Sequence, residues 1–124
     1  MAEYKGFRDL IVYQKSYKLA LEIFEITKSF PKEEKYSLTD QIRRSSRSIP
    51  SNIAEAWVKR KYPKAFVNKL LDSLAEESET EVWIDVSSDC TYIDDILHNA
   101  LLLRYMEIAK MLSSMINYPE KFCK

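Results

Sequence analysis

His98 is the only histidine in this chain of 124 residues, and it limits the chemistry the sequence can carry. Asp95-x-x-His98 offers one carboxylate and one imidazole near a helix start. A di-iron site in a helical bundle takes a Glu from each of two helices and Glu-x-x-His from two more, so no metal site is expected. A serine or cysteine nucleophile needs a base held beside it. With Gly6 as the sole glycine, no glycine-rich nucleophile turn, phosphate loop or dinucleotide fingerprint can be built. Cys90 and Cys123 form neither a CxxC pair nor a ligand cluster. The carboxylates between Asp72 and Asp95 could in principle supply an acid/base pair. Acidic surface helices are far commoner than active sites, so carboxylate chemistry ranks third among the function classes. No catalytic residue and no cofactor is assigned.

Charge is the stronger signal. The formal net charge is zero, but the signs are segregated. Between Gln41 and Lys64 stand seven basic residues, Arg43, Arg44, Arg47, Lys59, Arg60, Lys61 and Lys64, against Glu55 alone, a net of +6. Between Asp72 and Asp95 stand nine acidic residues and no basic one. Lysine and arginine at such spacing can neutralise phosphates and release counterions, and Tyr62 among them could stack on a base. The same cations could instead be consumed by the acidic stretch, within the chain or between protomers. Both readings stand at this point.

These residues are carried by the stretch from Ser37 to Lys61, which reads as one helix. At about 100° per residue, Leu38, Ile42, Ser45, Ser46, Ile49, Ile53 and Ala56 fall on one arc. Arg43, Arg44 and Arg47 fall on a neighbouring outer arc. Gln41, Ser48, Asn52 and Glu55 form a polar lane on the other flank. An unpaired polar group there would cost about 1–3 kcal/mol. Gln14, Ser73 and Glu76 on adjoining helices are its candidate partners, in a network that fixes register or subunit arrangement. The competing reading is a solvated edge. Pro50 inside this helix removes a hydrogen bond and is expected to bend it.

Three more helices surround that one. The first is expected over about residues 7–28, with Leu10, Tyr13, Tyr17, Leu21 and Phe24 as one apolar stripe and Leu19, Ile23 and Ile26 on the far side. Two apolar faces imply burial from two directions. The second direction is either another protomer or the chain's own loop at Phe30-Pro31. Ser37 is the expected N-cap of the second helix, over 37–61. The third helix is expected over 63–89, with Pro63 in its first turn. Its inward stripe reads as Val67, Leu70, Leu71, Leu74, Ser78 and Val82, with Asp72, Glu76 and Glu79 opposite. Trp83 on that acidic side has the character of an interface anchor. The fourth is expected over 95–117, behind a capping Asp, with Leu97, Leu101, Tyr105, Ile108, Leu112 and Met115 inward. Pro119 ends it, and a loose tail is expected after it.

The length fits one domain over residues 1–124, large enough for a core without staples. Four helices on short connections imply an all-α, antiparallel up-down-up-down four-helix bundle. The N-terminus lacks an apolar signal-peptide core, and no apolar run approaches a membrane span. A cytoplasmic protein with reduced cysteines is expected.

Several strings resemble a known family. Phe7-Arg-Asp-Leu-Ile-Val-Tyr-Gln14, Phe30-Pro31 with Glu34, Gln41-Ile-Arg-Arg44 and, most specifically, Ser48-Ile-Pro-Ser-Asn-Ile-Ala-Glu55 are similar to the ribosomal S23 type, also called 23S rRNA intervening-sequence proteins. Glu76, Glu79-Thr80, Trp83 and Tyr92-Ile93 continue the match over nearly the whole chain. The resemblance implies a left-handed four-helix bundle assembled as a ring-like homopentamer in the bacterial cytoplasm, with no agreed catalytic site. A related branch, the accessory protein of diversity-generating retroelements, presents basic surface to nucleic acid. Ala56 and Asp72 stand where the family has glycine, which implies a wider helix contact there.

The expectation is a non-enzymatic assembling protein that binds structured RNA, or DNA, through Arg43, Arg44, Arg47, Lys59, Arg60, Lys61 and Lys64. The alternative is a protein-binding adaptor that uses the acidic face around Glu76, Glu79 and Trp83, without nucleic acid. A membrane partner is not expected.

Overall fold

The computed structural model describes residues 3–123. Among these residues the regular elements are four α-helices and three short 3-10 turns, with no strand. The helices are α1 (Ile11–Thr27), α2 (Leu38–Val58), α3 (Pro63–Asp89) and α4 (Asp95–Asn117). They pack around one apolar core. The α2–α3 contact is the most extensive and the α1–α4 contact the sparsest.

α2 buries the arc read from sequence: Leu38, Ile42, Ser45, Ser46, Ile49, Ile53 and Ala56 are all enclosed. Pro50 is enclosed too, inside the continuous helix. The cap at its start differs from expectation. The Ser37 hydroxyl caps nothing; it donates to Glu34, whose carboxylate accepts the Leu38 N–H at 3.3 Å. The helix ends at Val58, earlier than its basic tail suggested, because the chain turns through Lys59–Tyr62.

Of the two apolar faces read on the first helix, the line through Leu19 and Ile23 turns inward, and of the first stripe only Leu10, ahead of α1, is fully enclosed. The core takes Val12, Ser16, Leu19, Ala20, Ile23 and Thr27, while Tyr17 and Leu21 are about half exposed, at 49% and 53%. α3 is also rotated from expectation. Its buried seam is Phe66, Leu70, Ser73, Glu77, Thr80, Ile84 and Ser87, and Leu71, Ser78 and Val82 face out. One physical cause covers both. A serine or threonine in a helix can hand its hydroxyl proton to a nearby carbonyl of its own helix and enter the core without an unpaired donor. Ser16 does so to Tyr13, Thr27 to Ile23, and Ser87 to Trp83. A count of apolar residues passes over such positions.

α1 begins later than expected, because a 3-10 turn at Phe7–Asp9 and the extended Leu10 precede it. Across the sparse α1–α4 contact, Arg104 pairs with Glu22 and Lys15 with Glu107. α4 buries Leu101, Tyr105, Ile108, Leu112 and Met115, and the Asp94 carboxylate caps it through the Leu97 N–H at 2.8 Å. The tail is not loose over the described residues. Phe122 meets Phe66 and Tyr4 with ring centroids 6.3 and 6.0 Å apart, and Cys123 packs on the core. Residue 124 lies outside the described residues.

Candidate nucleic-acid interface

The seven cations fall into three settings. Arg43 is half-buried and engaged. Its Nε donates to Thr27 Oγ1 at 2.8 Å, and the guanidinium lies 4.6 Å from the centre of the Phe24 ring. It closes the last turn of α1, where a cation also suits the helix dipole. Arg47 is exposed and lies 5.5 Å from the same ring. Arg44 sits on the other flank of α2, towards α3. There it partly offsets the rise in the Glu76 pKa that burial and Glu79 produce.

The remaining four gather at the corner between α2 and α3, about 18 Å along from Arg47 at 1.5 Å per residue. Lys59, Lys61 and Lys64 are exposed. Arg60 is laid flat on Trp57, its guanidinium 3.6 Å from the ring centre and its Nε donating to the Trp57 carbonyl at 3.0 Å. Tyr62 stands between them, 64% exposed. Lys64 lies in the first turn of α3, where unpaired N–H groups add to the positive field.

None of the seven is within ion-pair distance of a carboxylate among the described residues. The acidic helix spends its charge elsewhere. Asp72 and Glu55 share Lys69, at 3.7 and 3.6 Å. Asp85 meets His98 at 2.8 Å, and Glu79 accepts the Trp83 Nε1–H at 3.2 Å. Glu77 is buried. Among the described residues no three His, Cys, Asp or Glu side chains form a group that could hold a metal ion.

The sequence profile of the 23S rRNA-intervening sequence proteins matches residues 8–114. The chain belongs to that family. A solved structure from Bacteroides thetaiotaomicron, described as a protein of unknown function from the S23 ribosomal protein family, is similar to it at 33% identity. The match covers 86% of this chain and 96% of that one, with a TM-score of 0.78. Neither description names a reaction. No curated protein matches.

Two of the strings that marked this intervening-sequence family, Phe30-Pro31 with Glu34 and Tyr92-Ile93, meet in the fold. Phe30 meets Tyr92 with ring centroids 5.3 Å apart, and the Tyr92 hydroxyl donates to Glu34 at 2.9 Å. Glu34 thus ties the α1–α2 connection to the α3–α4 turn. Donors from Ser37, Tyr92 and Leu38 hold its carboxyl below the usual range. Tyr92, facing that carboxylate, is pushed up to about 12.

The polar lane is not one network. Gln14 is exposed and donates to the Arg8 carbonyl at 2.8 Å. Ser48 donates to the Arg44 carbonyl, and Asn52 to the Ser48 carbonyl, both at 2.8 Å within α2. Glu55 reaches α3 only through Lys69, and Gln41 is half-buried at the edge. The interhelical polar contacts lie one arc inward. Ser73 donates to the Ile49 carbonyl at 2.9 Å, and Thr80 and Ser45 are 2.8 Å apart. Ser45 was legible only as a member of the otherwise apolar arc of α2, and Thr80 only within the family-like string Glu79-Thr80. Trp83 packs half-buried against the core.

Proposed function

We propose that this intervening-sequence family protein is a non-enzymatic, assembling protein of the bacterial cytoplasm that binds structured RNA, or another nucleic acid, through its unpaired cations. The observation that carries the reading is the absence of ion pairs between those cations and the nine nearby acids, among the described residues. The protomer is an antiparallel up-down-up-down bundle. Contacts from the end of α1 to the start of α2, Arg43 to Thr27, and from the end of α3 to the start of α4, His98 to Asp85, support that course. The assembly is a ring-like homopentamer, as the family resemblance implies. The exposed Tyr17 and Leu21 support burial against another copy.

The corner carries most of the binding. Lys59, Lys61 and Lys64 reach phosphates, Tyr62 offers a stacking face, and Arg60 is held ready over Trp57. Arg44 and Arg47 extend the track along α2. Several corners in one ring multiply a weak single contact by raising effective concentration.

Fluorescence anisotropy against structured RNA and duplex DNA, across a salt series, tests this. About four phosphates per site give a log–log slope of roughly −3. Lys59→Glu/Lys61→Glu/Lys64→Glu should abolish binding while helicity and mass stay unchanged. Absence of binding to either nucleic acid at low salt, with the wild-type protein folded, would refute the reading. Arg43→Glu is a poor probe, because Arg43 also holds the end of α1.

A further inference from the structure

The corner that carries Lys59, Lys61 and Lys64 adjoins a groove of about 310 Å³. Pro63, Lys64, Val67 and Asn68 of α3 line it, and Pro119 of the tail closes it. The tail is held there by Phe122, whose ring centroid lies 6.3 Å from that of Phe66. Small-molecule sites run from about 300 to 1,000 Å³, so the groove has room for one flat ring system and little more. Two proline rings and a valine give it an apolar lining. Lys64 and Asn68, four residues apart on one face of α3, are exposed and supply its polar side chains. An amide offers donors and an acceptor together, as the edge of a base requires. The exposed Tyr62 directly precedes Pro63, and the Lys61 ammonium lies 6.0 Å from the centre of the Tyr62 ring.

We infer that this groove receives an unpaired base from a loop of structured RNA, with the adjoining phosphates on Lys61 and Lys64. The inference deepens the nucleic-acid part of the reading above and rests on it. Recognition of an unpaired nucleotide takes a cation for the phosphate, an aromatic or apolar face for the ring, and a polar group for the base edge. The groove and its border carry all three. Charge sets the direction. Lys59, Lys61 and Lys64 have no ion-pair partner among the described residues. On the other side Glu120 follows Pro119, with Lys121 next to it. Asp72, one turn beyond Asn68, is taken by Lys69 at 3.7 Å. The phosphates are therefore favoured on the Lys61 and Lys64 side, and the base runs towards Asn68. A duplex keeps its bases stacked inside, so it meets the lysines and leaves the groove empty. An RNA loop presents splayed bases on a folded phosphate scaffold and meets both.

Fluorescence anisotropy at one fixed salt concentration tests this with three probes: an RNA hairpin with an unpaired loop, a blunt RNA duplex with the same number of phosphates, and a DNA hairpin of the same sequence. The wild type is expected to bind the RNA hairpin about tenfold more tightly than the duplex, a difference within reach of one stacked base. Tyr62→Ala/Asn68→Leu leaves the charge unchanged and should bring the hairpin down to the duplex level, with duplex binding and its salt slope as in the wild type. Asn68→Leu alone should lose about threefold on the hairpin. Both positions are exposed, and circular dichroism confirms that each variant is folded. Equal wild-type affinity for hairpin and duplex overturns the inference and leaves the phosphate-binding reading standing. A double variant that keeps the hairpin preference overturns it too. A DNA hairpin that binds more tightly than the RNA hairpin assigns the groove to single-stranded DNA and overturns the commitment to RNA. A folded wild type that binds none of the probes at low salt refutes the reading beneath the inference, and the inference with it.

Discussion

Glu77 is 1% exposed, and its Oε2 has no hydrogen-bond partner among the described residues. Burial, then the neighbouring Glu81, pushes its carboxyl up to about 9 from 4.5. Tyr105, whose hydroxyl is also enclosed without a partner, is raised by burial and by Glu77. The folded chain therefore keeps a proton that the unfolded chain releases. This contribution to stability is fully present below about pH 4.5 and is lost as pH rises towards 9, because the unfolded state binds fewer protons over that span. Glu77→Gln should remove this slope and be more stable than wild type by on the order of 2 kcal/mol at pH 8. Urea unfolding between pH 5 and 9 measures it. Parallel curves for the two proteins would mean that the carboxyl is ionised in the fold. The position of Glu77 was not legible in sequence. It stands in an acidic run whose other members are mostly on the surface, and only the rotation of α3 separates it from Glu76 and Glu79.

The turn from α3 to α4 shows how an element boundary is made without glycine. Thr91 adopts φ 62, the one left-handed non-glycine residue among those described. The Tyr92 N–H reaches back to the Ser87 carbonyl and the Thr91 N–H to the Ser88 carbonyl, both at 2.9 Å. This is the double closure of a Schellman motif. A β-branched residue is costly in that conformation. Thr91→Gly is expected to stabilise the protein by about 1 kcal/mol in chemical denaturation, with no change in mass or RNA binding. A loss of stability would mean that the Thr91 hydroxyl, which donates to the Cys90 carbonyl at 2.6 Å, outweighs the backbone strain. The bounds of α3 and α4 were readable because Pro63, Asp94 and Pro119 are local signals. The start of α1 was not, because the break at Leu10 has no sequence punctuation.

At the scale of the molecule, charge segregation along the chain persists as segregation on the surface. Of the cations of α2 and the corner, Arg44 alone is directed to α3, where it acts on Glu76 without an ion pair, and the acids of α3 otherwise pair with Lys69 and His98 or crowd one another. Apolar faces are left open on both halves. A protein that buries such faces against its own copies is stabilised by mass action. The midpoint of thermal unfolding is therefore expected to rise as protein concentration is raised from about 1 to 100 μM, and Leu21→Glu should remove that dependence. A midpoint independent of concentration in the wild type would leave the exposed faces without a role in assembly.

The sequence by itself determined the four helices, most of their ends, the buried arc of α2 and the membership of the family, because each follows from local propensity, punctuation and a continuous string of residues. It also determined where charge is concentrated along the chain. Only the tertiary structure decided which face of α1 and α3 turns inward, since hydroxyls bonded to their own helix enter a core as readily as apolar groups do. It alone decided that Arg43 serves Thr27 and Phe24, that Glu34 joins Tyr92 across two connections, and that the cations at the corner stand apart from the acids. Those outcomes depend on which helices become neighbours and how each is rotated, and the balance of charges in one dimension does not contain them.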